Sequence, residues 1–106
     1  MVARVLLPRE ARRGEKIEVR IVIQHPMETG YRLDADNRAV PKNAIRLLIC
    51  RLAGEEVFRA ELSPGIAANP YLVFHAIAEK SGDLELSWVD DAGVRDSARQ
   101  PLVVAG

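Results

Sequence analysis

The sequence predicts an all-β fold, an immunoglobulin-like β-sandwich of about seven strands. Residues 16–24 and 83–90 alternate apolar and polar side chains with a period of two, which is typical of strands with one buried face. Gly, Pro and Asp interrupt the chain at short intervals, and no segment shows a sustained helical period. The cysteine pair of antibody domains is absent, so the predicted likeness is one of architecture.

Length and composition predict one domain over residues 1–106, since 106 residues with 48% apolar side chains suit a single core. Fifteen basic and fifteen acidic residues give a formal net charge of zero, so no global field would steer the chain onto nucleic acid or anionic lipid. No apolar run approaches the roughly 20 residues of a membrane span. The first residues lack the apolar stretch of a signal peptide.

The first half of the chain contains two predicted strands and one long connection. Residues 3–7 form a short apolar strand closed by Pro8, and residues 9–15 are predicted to be a charged turn. Residues 16–24 then place Ile17, Val19, Ile21 and Ile23 on one face. The connection over residues 25–43 is longer than most structural loops, and its residues 31–33 and 39–40 are predicted to pair as a small hairpin.

The second half supplies the other predicted strands, at residues 44–52, 56–62, 71–78, 83–90 and 94–104. A break is predicted at Ser63-Pro64-Gly65, and Asp90 and Asp91 before Gly93 are typical of a hairpin turn. Trp88 alternates into the predicted core.

Two of these strands, 44–52 and 71–78, are apolar on both faces, so a second cover is expected from the long loop or from a partner chain. The predicted interface residues are Ile45, Leu47, Ile49, Asn69, Pro70 and Tyr71.

The sequence contains few side-chain combinations that would indicate catalysis. His25, His75 and Cys50 are too few and too scattered to predict a metal site, and the sequence predicts no cofactor. Cys50 lies mid-strand and is predicted to be a small buried hydrophobe. An enzyme using His25 with Glu28 or Asp36 as orienting partner stays open as an alternative, although it lacks a visible nucleophile.

The string His25, Pro26, Met27, Glu28, Thr29 and Gly30 opens the long connection. Pro26 fixes its own φ and Gly30 permits positive φ, so the loop starts from a stiff backbone. Met27 offers an adaptable contact, while His25 and Glu28 offer polar groups. We predict a docking loop here; the plainer interpretation is a stiff turn leaving a strand.

This hexapeptide after a strand resembles the Z subunit of the SoxYZ sulfur-carrier complex. Similar stretches are residues 54–58, residues 67–74 with Asn69-Pro70-Tyr71, and residues 82–93 with Trp88-Val89-Asp90-Asp91. Together with Gly14-Glu15 before the alternating strand, they span nearly the whole chain.

The resemblance implies a non-catalytic β-sandwich subunit that pairs with SoxY, whose C-terminal cysteine carries sulfur intermediates for other Sox enzymes. This chain has no cysteine near residue 106, which fits Z and not Y. A periplasmic location is expected, with export alongside the signal-bearing Y subunit. The isolated protein is expected to self-associate as a homo-oligomer through its apolar face. A free-standing immunoglobulin-like binding module, recognising a ligand by its loops, remains the alternative.

Overall fold

The computed structural model describes residues 3–62 and 68–106. Every regular element in this part of the chain is a strand, and the eight strands are β1 (Ala3–Leu6), β2 (Glu10–Arg12), β3 (Lys16–Ile23), β4 (Ile45–Leu52), β5 (Glu55–Glu61), β6 (Tyr71–Ile77), β7 (Gly82–Asp90) and β8 (Arg95–Ala105). The predicted break at residues 63–65 lies outside the described residues.

The strands form two sheets that pack face to face. A three-stranded antiparallel sheet has the order β1-β3-β6, and a five-stranded sheet has the order β2-β8-β7-β4-β5. The predicted all-β sandwich is therefore confirmed, with eight strands in place of about seven.

The additional strand is β2, which lies within the predicted charged turn 9–15. It pairs parallel with the far end of β8, from Glu10 opposite Val103 to Arg12 opposite Ala105. The turn prediction was wrong for these residues because a three-residue strand with only Ala11 buried carries no period of its own. Its partner is so distant in the sequence that no local pattern could indicate the pairing.

The core lies between the sheets and is built from alternating positions. β3 buries Ile17, Val19, Ile21 and Ile23, as predicted. The facing sheet contributes Leu48, Cys50 and Leu52 from β4 and Leu84, Leu86 and Trp88 from β7. Full burial of one such aliphatic side chain contributes about 1.5–3 kcal/mol, so these rows hold the two sheets together.

A β-bulge near the start of β4 changes which side chains face the core. The pairing with β7 shifts between Ile45 and Leu47, leaving Arg46 as the extra residue. Ile45 therefore turns inward with Leu48 and is fully buried, while Leu47 lies on the outer face. The prediction that Ile45 belongs to an exposed interface was wrong, because strict alternation does not survive a bulge.

The long connection carries an exposed hairpin at residues 31–40. Leu33 bridges Ala39, as predicted, and the Val40 amide donates to the Arg32 carbonyl at 2.8 Å. The Asp34 carboxylate closes the turn by accepting hydrogen bonds from the amides of Asp36 and Arg38.

The molecule is elongated: its radius of gyration is 16.1 Å, against about 13 Å for a compact domain of this length.

In the part of the chain that the structure describes, no helix is long and apolar enough to cross a membrane.

Candidate functional site

The predicted docking loop begins at a buried histidine that four hydrogen bonds hold in place. The His25 amide donates to Asn69 Oδ1 at 3.1 Å, and the Asn69 amide returns a bond to the His25 carbonyl at 2.7 Å. The ring lies 3.1 Å from Asp90 Oδ2 through Nε2, and its Nδ1 accepts the Met27 amide at 3.0 Å. His25 is 2% exposed, so the loop leaves β3 from a fixed point.

These contacts define the histidine tautomer. Because Nδ1 accepts the Met27 N–H, the ring proton sits on Nε2, from which it donates to the Asp90 carboxylate. Both side chains are 1% exposed. This is the arrangement of an oriented, buried structural pair; the described residues place no hydroxyl or thiol within hydrogen-bond reach of the ring.

Asp90 is the buried acceptor of this end of the sandwich. Burial alone would raise the pKa of its carboxyl, but the hydrogen bond from His25 and the Val94 amide at 2.9 Å together hold that pKa below its ordinary value. The alternative that paired His25 with Glu28 or Asp36 was wrong about the partner. The partner is Asp90, 65 positions along the chain.

Met27 is also turned inward and is 4% exposed. Its backbone takes a positive φ of 51°, and its sulfur lies 3.4 Å from the Ile45 amide. The expectation that His25 and Met27 offer surface contacts is therefore corrected: both anchor the loop from inside. The reversed backbone at Met27 and at Gly30, with a φ of 92°, leaves Pro26 and Thr29 on the exposed side.

The exposed side of the loop leads into the hairpin. Glu28 and Arg32 form a two-pronged ion pair, with Nη2 to Oε1 at 2.7 Å and Nε to Oε2 at 3.0 Å. This hydrogen bond lowers the pKa of Glu28. The Tyr31 amide donates to Thr29 Oγ1, yet the Tyr31 side chain is 90% exposed. Sequence reasoning did not single out Tyr31, because a lone tyrosine in a polar stretch carries no local signal.

The turn between β7 and β8 supports the loop from the other side. Asp91 Oδ2 accepts the Ala44 amide at 3.0 Å, and the Ala92 amide donates to Asn43 Oδ1 at 3.2 Å. Asn43 and Glu28 also exchange two backbone hydrogen bonds. The predicted hairpin turn at Asp90 and Asp91 thus also holds the two ends of the long connection in place.

The predicted interface residues do not share one surface. Leu47 and Ile49 are half-buried on the outer face of the five-stranded sheet, whereas Tyr71 is 54% exposed on the outer face of the three-stranded sheet. Pro70 is buried, and Asn69 uses its carboxamide to hold His25. A single patch spanning both strands was therefore wrong, because β4 and β6 belong to different sheets.

Cys50 is fully buried on the inner face of β4, between Phe58 and Leu86 of the neighbouring strands. Burial raises the pKa of its thiol to about 12. A thiol with that pKa forms almost no thiolate near neutral pH, so Cys50 has the inert character predicted for it.

The described ranges 3–62 and 68–106 contain no group of three or more His, Cys, Asp or Glu placed to hold a metal ion.

Comparison with protein-family models matches residues 4–101 to the family described as sulphur oxidation protein SoxZ. The chain belongs to the SoxZ family. The resemblance carried by the His25–Gly30 string is thereby confirmed, and with it a role in sulfur oxidation by the Sox system. A search of curated proteins found no significant match.

Solved structures show how widely this SoxZ fold recurs. Superoxide reductase (neelaredoxin) from Ignicoccus hospitalis aligns with a TM-score of 0.71 and 20% identity, over 99% of this chain and 81% of that one. The sulfur carrier protein SoxY from Chlorobium limicola f thiosulfatophilum aligns with a TM-score of 0.69 and 13% identity, over 98% of this chain and 79% of that one. At these identities the likeness is one of fold alone.

Proposed function

We propose that this chain is the non-catalytic Z subunit of a SoxYZ sulfur-carrier complex. It binds and supports the Y subunit, which carries sulfur intermediates on its C-terminal cysteine. The match of residues 4–101 to the SoxZ family carries the proposal. The buried Cys50 supports it, because a thiol with a pKa near 12 and no exposure is unsuited to carry sulfur itself.

The loop at residues 25–30 serves docking in this proposal, with a division of labour between its two sides. His25 and Met27 fix the backbone from within through Asp90 and the Ile45 amide. Pro26, Glu28, Thr29 and Gly30 form the outer surface, on which the carrier arm or a client enzyme rests. Because the loop is already ordered, docking loses little conformational entropy.

The complex works in the periplasm in this proposal, and the Y subunit supplies the export signal for both chains. Secretion of a tagged form of this chain, with and without co-expressed SoxY, tests the point. Appearance in the periplasm only when SoxY is present is the expected result. Equal export of the chain by itself would contradict it.

The test of function is reconstitution with SoxY from the same organism. We expect a one-to-one complex that supports thiosulfate-dependent turnover with the other Sox proteins, and unchanged turnover for Cys50→Ala. Loss of turnover in a Cys50→Ala complex that still assembles would assign the chemistry to this chain. Absence of any complex with SoxY would favour the free-standing binding module.

Docking by the loop is tested with two ion pairs at the surface, one beside the loop and one near the middle of β7 and β8. Glu28→Ala removes the pair with Arg32 beside the loop, and the control Glu85→Ala removes the pair with Arg99, whose Nη2 lies 3.2 Å from the carboxylate. Exposed pairs contribute about 0–1 kcal/mol, so both variants keep the fold. We expect weaker enzyme docking or turnover for Glu28→Ala alone. Equal docking and turnover for the two variants would show that the loop has only a structural role.

A further inference from the structure

The four edges of the two sheets differ in how they are protected against pairing with another chain. β1 and β6 are the outer strands of the three-stranded sheet, and β2 and β5 are those of the five-stranded sheet. An exposed edge presents unpaired N–H and C=O groups, and proteins usually protect it by shortness, charge or proline.

Three of the edges carry these protections. β1 has four residues, includes Arg4 and is followed closely by Pro8. β2 has three residues, two of them charged. β5 has seven residues with the sequence EEVFRAE, so charged side chains occupy four of its positions.

β6 is the exception. Its seven residues, YLVFHAI, include no Lys, Arg, Asp, Glu, Pro or Gly. Three of its four outward side chains are large, apolar or aromatic, and exposed, at 54% for Tyr71, 44% for Val73 and 49% for Ile77, and the fourth is the exposed His75. An edge of this length and composition is typical of a strand that pairs with a partner.

The hydrogen bonds to β3 show which backbone groups of β6 remain available. The Ile23 amide donates to the Pro70 carbonyl at 3.1 Å, and the Ala78 amide donates to the Glu15 carbonyl at 2.9 Å. In an antiparallel pair the bonded positions alternate. The register therefore directs Leu72, Phe74 and Ala76 towards β3, and leaves the N–H and C=O groups of Tyr71, Val73, His75 and Ile77 facing outward.

No described strand takes up these outward groups. β5 runs along the same open side of the sandwich, but it pairs only with β4 among residues 3–62 and 68–106. Its link to β6 is made by side chains, through Phe58 stacked on Phe74 with ring centroids 4.5 Å apart.

We propose that the free edge of β6 binds a strand of the Y subunit, so that the three-stranded sheet continues into its partner. This inference rests on the proposed function. The occupant is a largely apolar strand, because β6 offers main-chain bonds and mainly apolar side chains, with His75 as its one polar residue besides the Tyr71 hydroxyl and no Lys, Arg, Asp or Glu to match. SoxY has a fold of this architecture, so it can present a sheet edge of its own. A second copy of this chain is the competing occupant.

Amide-resolved hydrogen exchange, on the chain alone and on its complex with SoxY, tests the inference directly. In the isolated chain we expect slow exchange for the amides of Leu72, Phe74 and Ala76 and fast exchange for those of Tyr71, Val73, His75 and Ile77. We expect complex formation to slow the second set by at least about tenfold.

Substitutions at one exposed position test the same edge by affinity. Val73→Pro removes one outward N–H without touching the ladder to β3, and Val73→Lys places a charge on the edge. Each is expected to weaken binding of SoxY by about tenfold or more. The control is Val103→Lys, since Val103 is 53% exposed on β8 of the other sheet. Circular dichroism and thermal unfolding verify that all three variants fold.

The outcomes separate the interface from the function. Protection of the four outward amides with selective loss of affinity in the Val73 variants supports the inference. A complex in which these amides still exchange rapidly overturns it and leaves the proposed function intact. Protection already present in an isolated dimer, undisturbed by SoxY, assigns the edge to a second copy and overturns the chosen occupant. Failure of the parent chain to bind SoxY at all overturns the proposed function itself.

Discussion

Replacing Asp90 with Asn tests whether the buried pair with His25 anchors the docking loop. The Asn oxygen can still accept the Val94 amide at the position of Oδ1, 2.9 Å away. The Asn amide group would instead face His25 Nε2–H, now 3.1 Å from Asp90 Oδ2, so two donors would meet. The ring cannot move its proton to Nδ1 without losing the Met27 amide.

One buried hydrogen bond to a charged acceptor is therefore lost and its donor left unsatisfied, at a cost of about 1–3 kcal/mol in the free energy of unfolding. For a domain of this size each kcal/mol lowers the Tm by roughly 4–8 °C. Urea and thermal unfolding, followed by circular dichroism, measure both quantities.

The matched control is the same substitution at the next residue. Asp91→Asn keeps an oxygen for the Ala44 amide and loses only the longer ion pairs with Lys42 at 3.7 Å and Arg46 at 3.8 Å. Pairs of this kind contribute about 0–1 kcal/mol. Equal unfolding free energies for the two variants would refute the role assigned to the pair.

Acid should reduce the difference between the parent and Asp90→Asn. Hydrogen bonds outweigh burial and hold the folded-state pKa of Asp90 below its ordinary value of 3.8. The stabilisation is therefore fully present above pH 3.8 and is lost as the pH falls through the folded-state pKa. The gap between the two unfolding free energies should therefore begin to narrow below about pH 4; a gap that does not narrow at all in acid would contradict this assignment.

Three further predictions concern the core and one turn. Cys50 should resist alkylation by iodoacetamide at pH 8 in the native protein and react readily in urea; rapid native labelling would contradict its burial and its pKa of about 12. Because Met27 is internal, Met27→Ala should lower the free energy of unfolding by about 2–5 kcal/mol, and Met27→Leu by less than about 1.5 kcal/mol. Equally small losses for both variants would place Met27 on the surface. Gly82→Ala should cost about 1–3 kcal/mol, since the new Cβ would lie 2.7 Å from the Ala53 Cβ and 2.8 Å from the Ala53 Cα; unchanged stability would refute the clash.

The strands with regular alternation could be predicted from the sequence, because a period of two is a local property. β3 and β7 were located to within a residue at each end, and Trp88 was correctly placed in the core. The same alternation rule gave the wrong face for Ile45, because the extra residue of the β4 bulge reverses which positions face inward.

The partners of the site residues could not be predicted, because they depend on contacts between distant segments. Nothing in the spacing of His25 and Asp90 indicates that they meet, or that Asn69 holds the backbone at His25 from a third segment. The loop string itself did identify the family. Its six residues were understood as a surface, however, whereas two of them are buried anchors.

The parallel pairing of β2 with β8 has a consequence for the folding rate. Glu10 and Val103 are about 90 positions apart, and closing a loop of that length costs about 4 kcal/mol of chain entropy beyond a constant term. The short segment between β1 and β2 also joins the two sheets. Topologies dominated by such non-local pairs fold in milliseconds to seconds. A stopped-flow experiment should therefore show slow, concerted acquisition of both sheets, with β2 substitutions accelerating unfolding more than they slow folding.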